Sequence, residues 1–489
     1  MKARMRLGDL LMEARLISPE NLGVALENQA AKGGRLGDHL VAISAISRTA
    51  LDAFLYRMPP EPADIAATGI PASDLLSLLM KVIYTAHLEL VRKFVDAIKL
   101  PYHIVIEIVQ MAIDRQLLRT LGARSSEGFG DMAYVLTEEG RRWTQAEMQQ
   151  SRYAGPAPVS ITQFSDLVNL QKITNEVVTF DRVRTAFGDL TVDDRIVEKC
   201  GPALNSGRAM LLYGPPGNGK TSVAMSFSSV FKDVIYVPYA VMVEGQVIRI
   251  FDPTYHSLKS IVPDAEDSDL GFVRREEYDA RWIPCHRPFI VAGGELTLDM
   301  LDLRFDSMAN IYEAPLHVKA LGGCFIIDDF GRQLVSPTAL LNRWIVPLEN
   351  RVDYLKLHTG ARFTIPFEEM VIFSTNLEPE DLMDPAFLRR LPYKIEVGAP
   401  TLDQYREIFR TECDKRGMTL PEELFQGIVN KITGEKGMEL AAYHPRFIVD
   451  QVAATCRFMR QPLHFEPRFI EDAVDNLRVR QGAQTQAQV

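Results

Sequence analysis

Gly214-Pro215-Pro216-Gly217-Asn218-Gly219-Lys220-Thr221 is the stretch that decides how this chain is read. It has the spacing GxxxxGK[ST] and follows Ala209-Met210-Leu211-Leu212-Tyr213, an apolar run suited to a buried parallel strand. A helix is expected from Thr221 to Phe231. Glycines at these positions let successive backbone N–H groups converge on phosphate oxygens at a helix N-terminus. Lys220 would then reach the outer phosphates, and the Thr221 hydroxyl would hold Mg2+. The pattern predicts an α/β core built around a phosphate cradle.

Working outward, Cys324-Phe325-Ile326-Ile327 is a second buried-strand candidate and ends in Asp328-Asp329. Asp328 suits magnesium through water, and Asp329 suits polarising an attacking water. A third strand, Val371-Ile372-Phe373-Ser374, ends at Thr375-Asn376, where a polar side chain can orient that water. Asp384-Pro385-Ala386-Phe387-Leu388-Arg389-Arg390-Leu391 comes next, and His444-Pro445-Arg446-Phe447 opens a helix within an α-helical C-terminal segment. In this order, over residues 180–480, the set resembles the AAA+ ATPases. The resemblance implies that Lys220 and Thr221 belong to Walker A, Asp328 and Asp329 to Walker B, and Asn376 to sensor 1. It further implies that Arg389 and Arg390 are arginine fingers and that Arg446 is sensor 2 in the lid. ATP and Mg2+ are the implied cofactors. A ring of copies of this chain, most often six, is the implied assembly, acting on an unidentified protein substrate. Asp329 departs from the usual Asp-Glu ending by one methylene.

Leu355 to Ile365 reads as a hairpin about Thr359-Gly360 and looks like the pre-sensor-1 hairpin of the MoxR-like and related clades. The stretch between the two Walker motifs is long, with its own hairpin about Glu244-Gly245 and the run Gly293-Gly294-Glu295-Leu296. Pore-facing loops and structural padding are both open readings of it.

At the other end of the chain, Arg6-Leu7-Gly8-Asp9 recurs as Arg35-Leu36-Gly37-Asp38. The same offset carries Leu22 onto Leu51, Leu26 onto Leu55 and Ser18 onto Ser47. A repeat this dense predicts two copies of one supersecondary unit, each with a Ser capping its second helix. The leucines four apart fall on one helical face. Gly permits close backbone approach, and Arg offers a planar fork for a guanine edge or a phosphate. The pattern resembles the tandem motif of the MshEN domain of type II secretion and type IV pilus ATPases, in which two copies wrap one cyclic di-GMP. The resemblance implies a regulatory site on Arg6, Leu7, Gly8, Leu22, Leu26, Gln29, Arg35, Leu36, Gly37, Leu51 and Leu55. Arg15 and Ser44 stand where the family has glycine, and Met58 stands where the second copy would have glutamine. A protein-docking domain is the other reading.

Between these ends, Leu75–Leu88, Glu89–Ile98 and Tyr102–Leu118 have helical periodicity. Ser125-Ser126-Glu127-Gly128 and a strand at Ala133–Leu136 then suggest a wing, and the segment is similar to winged-helix domains. Its third helix offers Tyr102, His103, Glu107 and Gln110, with Arg115 only at the far end. Without a basic stripe, a protein-contact or coupling role is favoured over DNA.

The chain has 489 residues, 47% of them apolar, and a formal charge of -10, which excludes a protein devoted to gripping nucleic-acid backbones. Its five scattered cysteines form no CxxC pair, so neither a disulfide framework nor a zinc site is expected. No apolar run is long enough for a bilayer, and the basic start Met1 to Arg6 leads into no signal-peptide pattern. The expectation is a soluble, cytoplasmic, multidomain protein. Residues 1–58 form a small helical tandem-repeat domain, 59–71 a linker and 72–153 a winged-helix-like domain. A second linker at 154–179 leads to an α/β P-loop AAA+ core at 180–398, a helical lid at 399–480 and a disordered tail at 481–489. The function expected is a partner-remodelling ATPase regulated by cyclic di-GMP. The alternatives are an ATP-dependent transcription regulator and a pilus or secretion ATPase.

Overall fold

The computed structural model describes residues 7–13, 15–32, 36–55, 58–124, 131–188, 190–259, 278–435 and 437–477. Strands β1 (Met210–Tyr213), β2 (Phe289–Ala292), β3 (Cys324–Ile327), β4 (Met370–Thr375) and β5 (Tyr393–Glu396) form one parallel sheet in the order β5-β1-β4-β3-β2. Every residue of β3 and β4 is buried. Such strands read as unbroken apolar runs because helices cover both faces. One face packs on Cys200, Leu204, Val223 and Phe227. The other packs on Leu340, Trp344 and Phe387, with Trp344 centred 5.4 Å from Phe325 and 6.0 Å from Phe373. Ring pairs of this kind add about 0.5–1.5 kcal/mol each beyond their buried area. Because β4 lies between β1 and β3, the sheet gathers the ends of all three sequence motifs along its C-terminal edge. That edge is where open α/β sheets hold ligands.

The helix after the glycine-rich loop, α1, runs from Lys220 to Ser226 and passes into a 3-10 turn at Phe227–Ser229, so it is shorter than the sequence suggests. The stretch between β1 and β3 is a second β-rich body. Its hairpin Ala240–Val243/Gln246–Arg249 turns at Glu244 (φ 48°) and Gly245 (φ 73°), as expected. Strands Ile311–Glu313, Arg304–Asp306 and Val159–Ser160 extend that hairpin to a five-stranded sheet. The hairpin Val352–Lys356/Arg362–Pro366 also forms as expected. Its Leu355 and Ile365 share one core with Val237, Ile248, Trp282 and Tyr312.

Two expected linkers are folded instead. Within 154–179, Ser160 and Gln163 make a reciprocal capping box that starts the helix Ile161–Leu170, whose Phe164 and Leu167 enter the core of the β-rich body. Within 59–71, Thr68 is fully buried and Ile70 joins the core of the middle domain. Arg281, itself 1% exposed, donates from one Nη1 to the Thr68 carbonyl at 2.8 Å and to the Pro158 carbonyl at 3.0 Å. Its remaining nitrogens grip the buried carboxylate of Asp279.

The N-terminal repeat is a repeat in space. Helices Leu7–Glu13 and Pro19–Lys32 are followed by Leu36–Ala42 and Arg48–Leu55. Leu16 N–H donates to Leu11 O in the first copy, and Ala45 N–H to Leu40 O in the second. Ser18 and Ser47 accept from Asn21 N and Ala50 N, the capping that was expected. Arg15 and Ser44 occupy the left-handed region at φ 55° and 58°. A Cβ on Gly8 would lie 2.5 Å from Leu22, and one on Gly37 2.8 Å from Leu51, so each glycine exists to let its leucine in.

The middle domain has helices Ala72–Ala86, Val91–Ile98 and Tyr102–Asp114, the hairpin Leu118–Arg124/Asp131–Leu136, and a helix Glu138–Gln150. The third helix stops before Leu118, against the sequence reading. Gln116 turns left-handed at φ 60° and Leu117 N–H closes on Ala112 O, which frees Leu118 to open a strand. Ser125 to Gly128, and the tail 481–489, lie outside the described residues.

Candidate active site

At the C-terminal edge of the sheet, β1 delivers the glycine-rich loop. Lys220 is 5% exposed, and its Nζ donates to the carbonyls of Gly214 and Pro215, each at 2.9 Å. Burial holds its ammonium below the usual value, opposed by the nearby carboxylates of Asp329 and Asp328. β3 delivers the acids. Thr221 Oγ1 lies 2.9 Å and 2.8 Å from the two oxygens of Asp328, a hydroxyl and a carboxylate side by side. β4 delivers Asn376, whose Nδ2 donates to Asp329 Oδ1 at 2.9 Å. Five side chains from three separate stretches of the sequence thus meet across three neighbouring strands.

The loop is closed from above by the C-terminal helices. These include α2 (Leu402–Asp414) and α3 (Tyr443–Phe458). Tyr443 N–H donates to Gly217 O at 3.0 Å, and Ala442 N–H to Asn218 Oδ1 at 3.1 Å. Gly217, at φ 78°, has no room for a side chain, since a Cβ there would stand 2.3 Å from the Tyr443 ring. Between sheet edge and lid lies a cleft of about 890 Å³. It is lined by the loop from Pro216 to Thr221, by Asp328, Asp329, Asn376, Glu412, Lys415 and Arg446, and by the apolar Phe187, Leu190, Val192 and Ile408. A cleft that combines charged and apolar walls fits a base joined to a polyphosphate.

The donor set also fits the groups that the sequence implies. A buried ammonium held by two backbone carbonyls suits a polyanion, and the Thr221–Asp328 oxygen pair suits a hard cation such as Mg2+.

Of the residues predicted from sequence, Gly214 and Pro215 serve Lys220 with carbonyls and do not line the cleft. Arg446 does line it, pairing loosely with Asp450 at 3.7 Å. Arg389 and Arg390 lie outside their own chain's cleft. Arg389 is exposed, whereas Arg390 is drawn to Glu349 at 2.6 Å. Phe187, Leu190, Val192, Ile408, Thr411, Glu412, Lys415 and Tyr443 also line the cleft and were not among the residues expected from sequence, because single side chains at no fixed spacing carry no motif. Outside the cleft's lining, Leu7, Leu22, Leu36 and Leu51 are core residues of the N-terminal repeat, with Gly8 and Gly37 packed among them. Gln29 is buried and Leu26 partly so. Arg6, Arg35 and the Leu55 side chain lie outside the described residues.

A family described as a domain of unknown function (DUF8689) matches residues 401–476, the helical segment over the cleft. No curated protein matches the chain. Among solved structures it is similar to a mutant RuvB of Thermotoga maritima, with 12% identity, covering 63% of this chain and 73% of that one, at a TM-score of 0.32. It is also similar to NtrX of Brucella abortus, with 10% identity, covering 62% of this chain and 56% of that one, at a TM-score of 0.35. The match therefore spans little more than half of NtrX. No helix among the described residues is long and apolar enough to cross a membrane.

Proposed function

We propose that this chain is an AAA+ ATPase that binds ATP with Mg2+ in the cleft and hydrolyses it within a ring of identical subunits. One observation carries the reading: Lys220, Thr221, Asp328, Asp329 and Asn376 meet at one edge of a parallel sheet, beneath a lid hydrogen-bonded to the glycine-rich loop. The loop amides and Lys220 hold the phosphates. Thr221 and Asp328 hold the metal, which when bound supplies charge neutralisation at the transferred phosphoryl group. Asp329, fixed by Asn376, orients the attacking water. Exposure of Arg389, against the Glu349 pairing of Arg390, favours Arg389 as the residue offered to a neighbouring subunit.

The ring would remodel a protein partner, and the N-terminal repeat would bind cyclic di-GMP as regulator. Supporting the regulatory part are the spatial repeat itself and the left-handed backbone at Arg15 and Ser44, where the related family has glycine. Weighing on the other side, Leu22 and Leu51 are spent on the core.

The test is steady-state ATP hydrolysis. Lys220→Ala is expected to lower turnover by at least about a hundredfold, and wild-type activity without magnesium is expected to vanish. Equal turnover in wild type and Lys220→Ala would end the ATPase reading. A calorimetric titration with cyclic di-GMP decides the regulatory part separately, and absence of heat at micromolar ligand would remove it.

A further inference from the structure

Asp329 sits in a backbone conformation that an L-residue adopts only under compulsion. Its φ is 47°, in the left-handed region. Asp and Asn are the non-glycine residues that tolerate it best, and longer side chains tolerate it less. This gives a physical reason for a short carboxylate at the position where the ATPase pattern expects a glutamate. It also raises the question of what holds the turn.

The holder is Gln333. It is 9% exposed, four residues beyond Asp329 and outside the motif. Its Oε1 accepts from Gly331 N–H at 2.8 Å, which fixes which end of the amide is which. Its Nε2 therefore faces carbonyls, with Asp328 O at 3.0 Å, Asp329 O at 3.3 Å and Gly293 O at 3.5 Å. One amide thus ties the end of β2 to both acids after β3. The far side of the turn is pinned by β4, through Phe330 N–H to Ser374 O at 2.7 Å and Thr375 Oγ1 to Phe330 O at 2.8 Å.

We infer that Gln333 is a positioning residue for hydrolysis, holding the left-handed Asp328–Asp329 turn so that the Asp329 carboxylate stays beside Asn376. This rests on the ATPase reading above. Gln333 does not line the cleft, and the Asp328 carboxylate keeps its own anchor on Thr221 Oγ1, so loss of the amide acts chiefly on Asp329 and spares the loop and lysine that hold the phosphates.

The discriminating variant is Gln333→Glu. It keeps the shape and the acceptor for Gly331 N–H, but turns an oxygen toward the carbonyls that now receive N–H groups. The full-length variant is compared with wild type for kcat and, separately, for Kd of a fluorescent ATP analogue. The expected result is kcat lower by about ten- to a hundredfold, with Kd within about threefold of wild type. If Gln333→Glu fails to fold, Gln333→Ala removes the same donor without adding charge and must show the same split. An unchanged kcat in an active protein overturns this inference alone. Parallel loss of binding and turnover also overturns it, because that marks a residue needed for the cleft itself. A wild-type protein that binds nucleotide yet never turns it over overturns the ATPase reading, and the role of Gln333 falls with it.

Discussion

Glu369, immediately before β4, shows what one misplaced charge costs. It is fully buried, and neither carboxylate oxygen has a hydrogen-bond partner among the described residues. Burial raises its carboxyl well above the ordinary range, outweighing the nearby Arg351. With the folded value above the unfolded one, its contribution is most favourable in acid and is lost as pH rises past the unfolded value of about 4.3. Glu369→Gln should therefore be nearly neutral for stability below that pH and increasingly stabilising above it. Urea denaturation of both proteins at several pH values checks this, and a stability difference that does not change with pH would refute it. Asp353 is the counter-case. Burial pushes its carboxyl up, but hydrogen bonds from His317 and Arg343 bring it down to about 2. Partners rather than depth separate the two residues.

At the scale of elements, the sequence is legible wherever chemistry demands particular residues at particular spacing. The phosphate loop, the two acids after β3 and the N-terminal repeat all meet that condition. It is opaque where short strands find partners far along the chain. Val159–Ser160 pairs with a strand beginning at Ala240, and no periodicity in a two-residue strand announces that. The helix Ile161–Leu170 was readable: Ser160 followed by Gln163 is a capping signature, overshadowed by Pro156 and Pro158. Ala157, Pro158 and Val159 just before it are buried, so the later half of the proline-rich stretch that suggested a tether is packed inside, while Ala154 stays exposed. In the repeat, Arg15 and Ser44 end their first helices in the conformation glycine prefers. Arg15→Gly and Ser44→Gly should each stabilise the N-terminal domain by about 0.5–1 kcal/mol, the left-handed penalty relieved less the added chain entropy. Denaturation followed by hydrogen exchange in residues 7–55 measures it, and destabilisation by both would show that the side chains matter more than the backbone.

At the scale of the whole molecule, the β-rich body between β1 and β3 decides how the parts are joined. Arg281 and Asp279 are buried at its heart, with side-chain exposures of 0% and 3%. Arg281→Ala would strand the Asp279 carboxylate and release two carbonyls, and is expected to cost about 3–5 kcal/mol. Chemical denaturation reads this directly, and a loss under about 1 kcal/mol would mean the pair is dispensable. The segments held by that guanidinium, at Thr68 and Pro158, are the ones by which the chain enters and leaves the middle domain. The exit is held a second time, where Asn310 Nδ2 donates to the Gln149 carbonyl at 3.0 Å and Arg152 N–H to the Ala309 carbonyl at 2.8 Å. A domain clasped by the same body at its entrance and along its exit cannot swing away without breaking buried hydrogen bonds there.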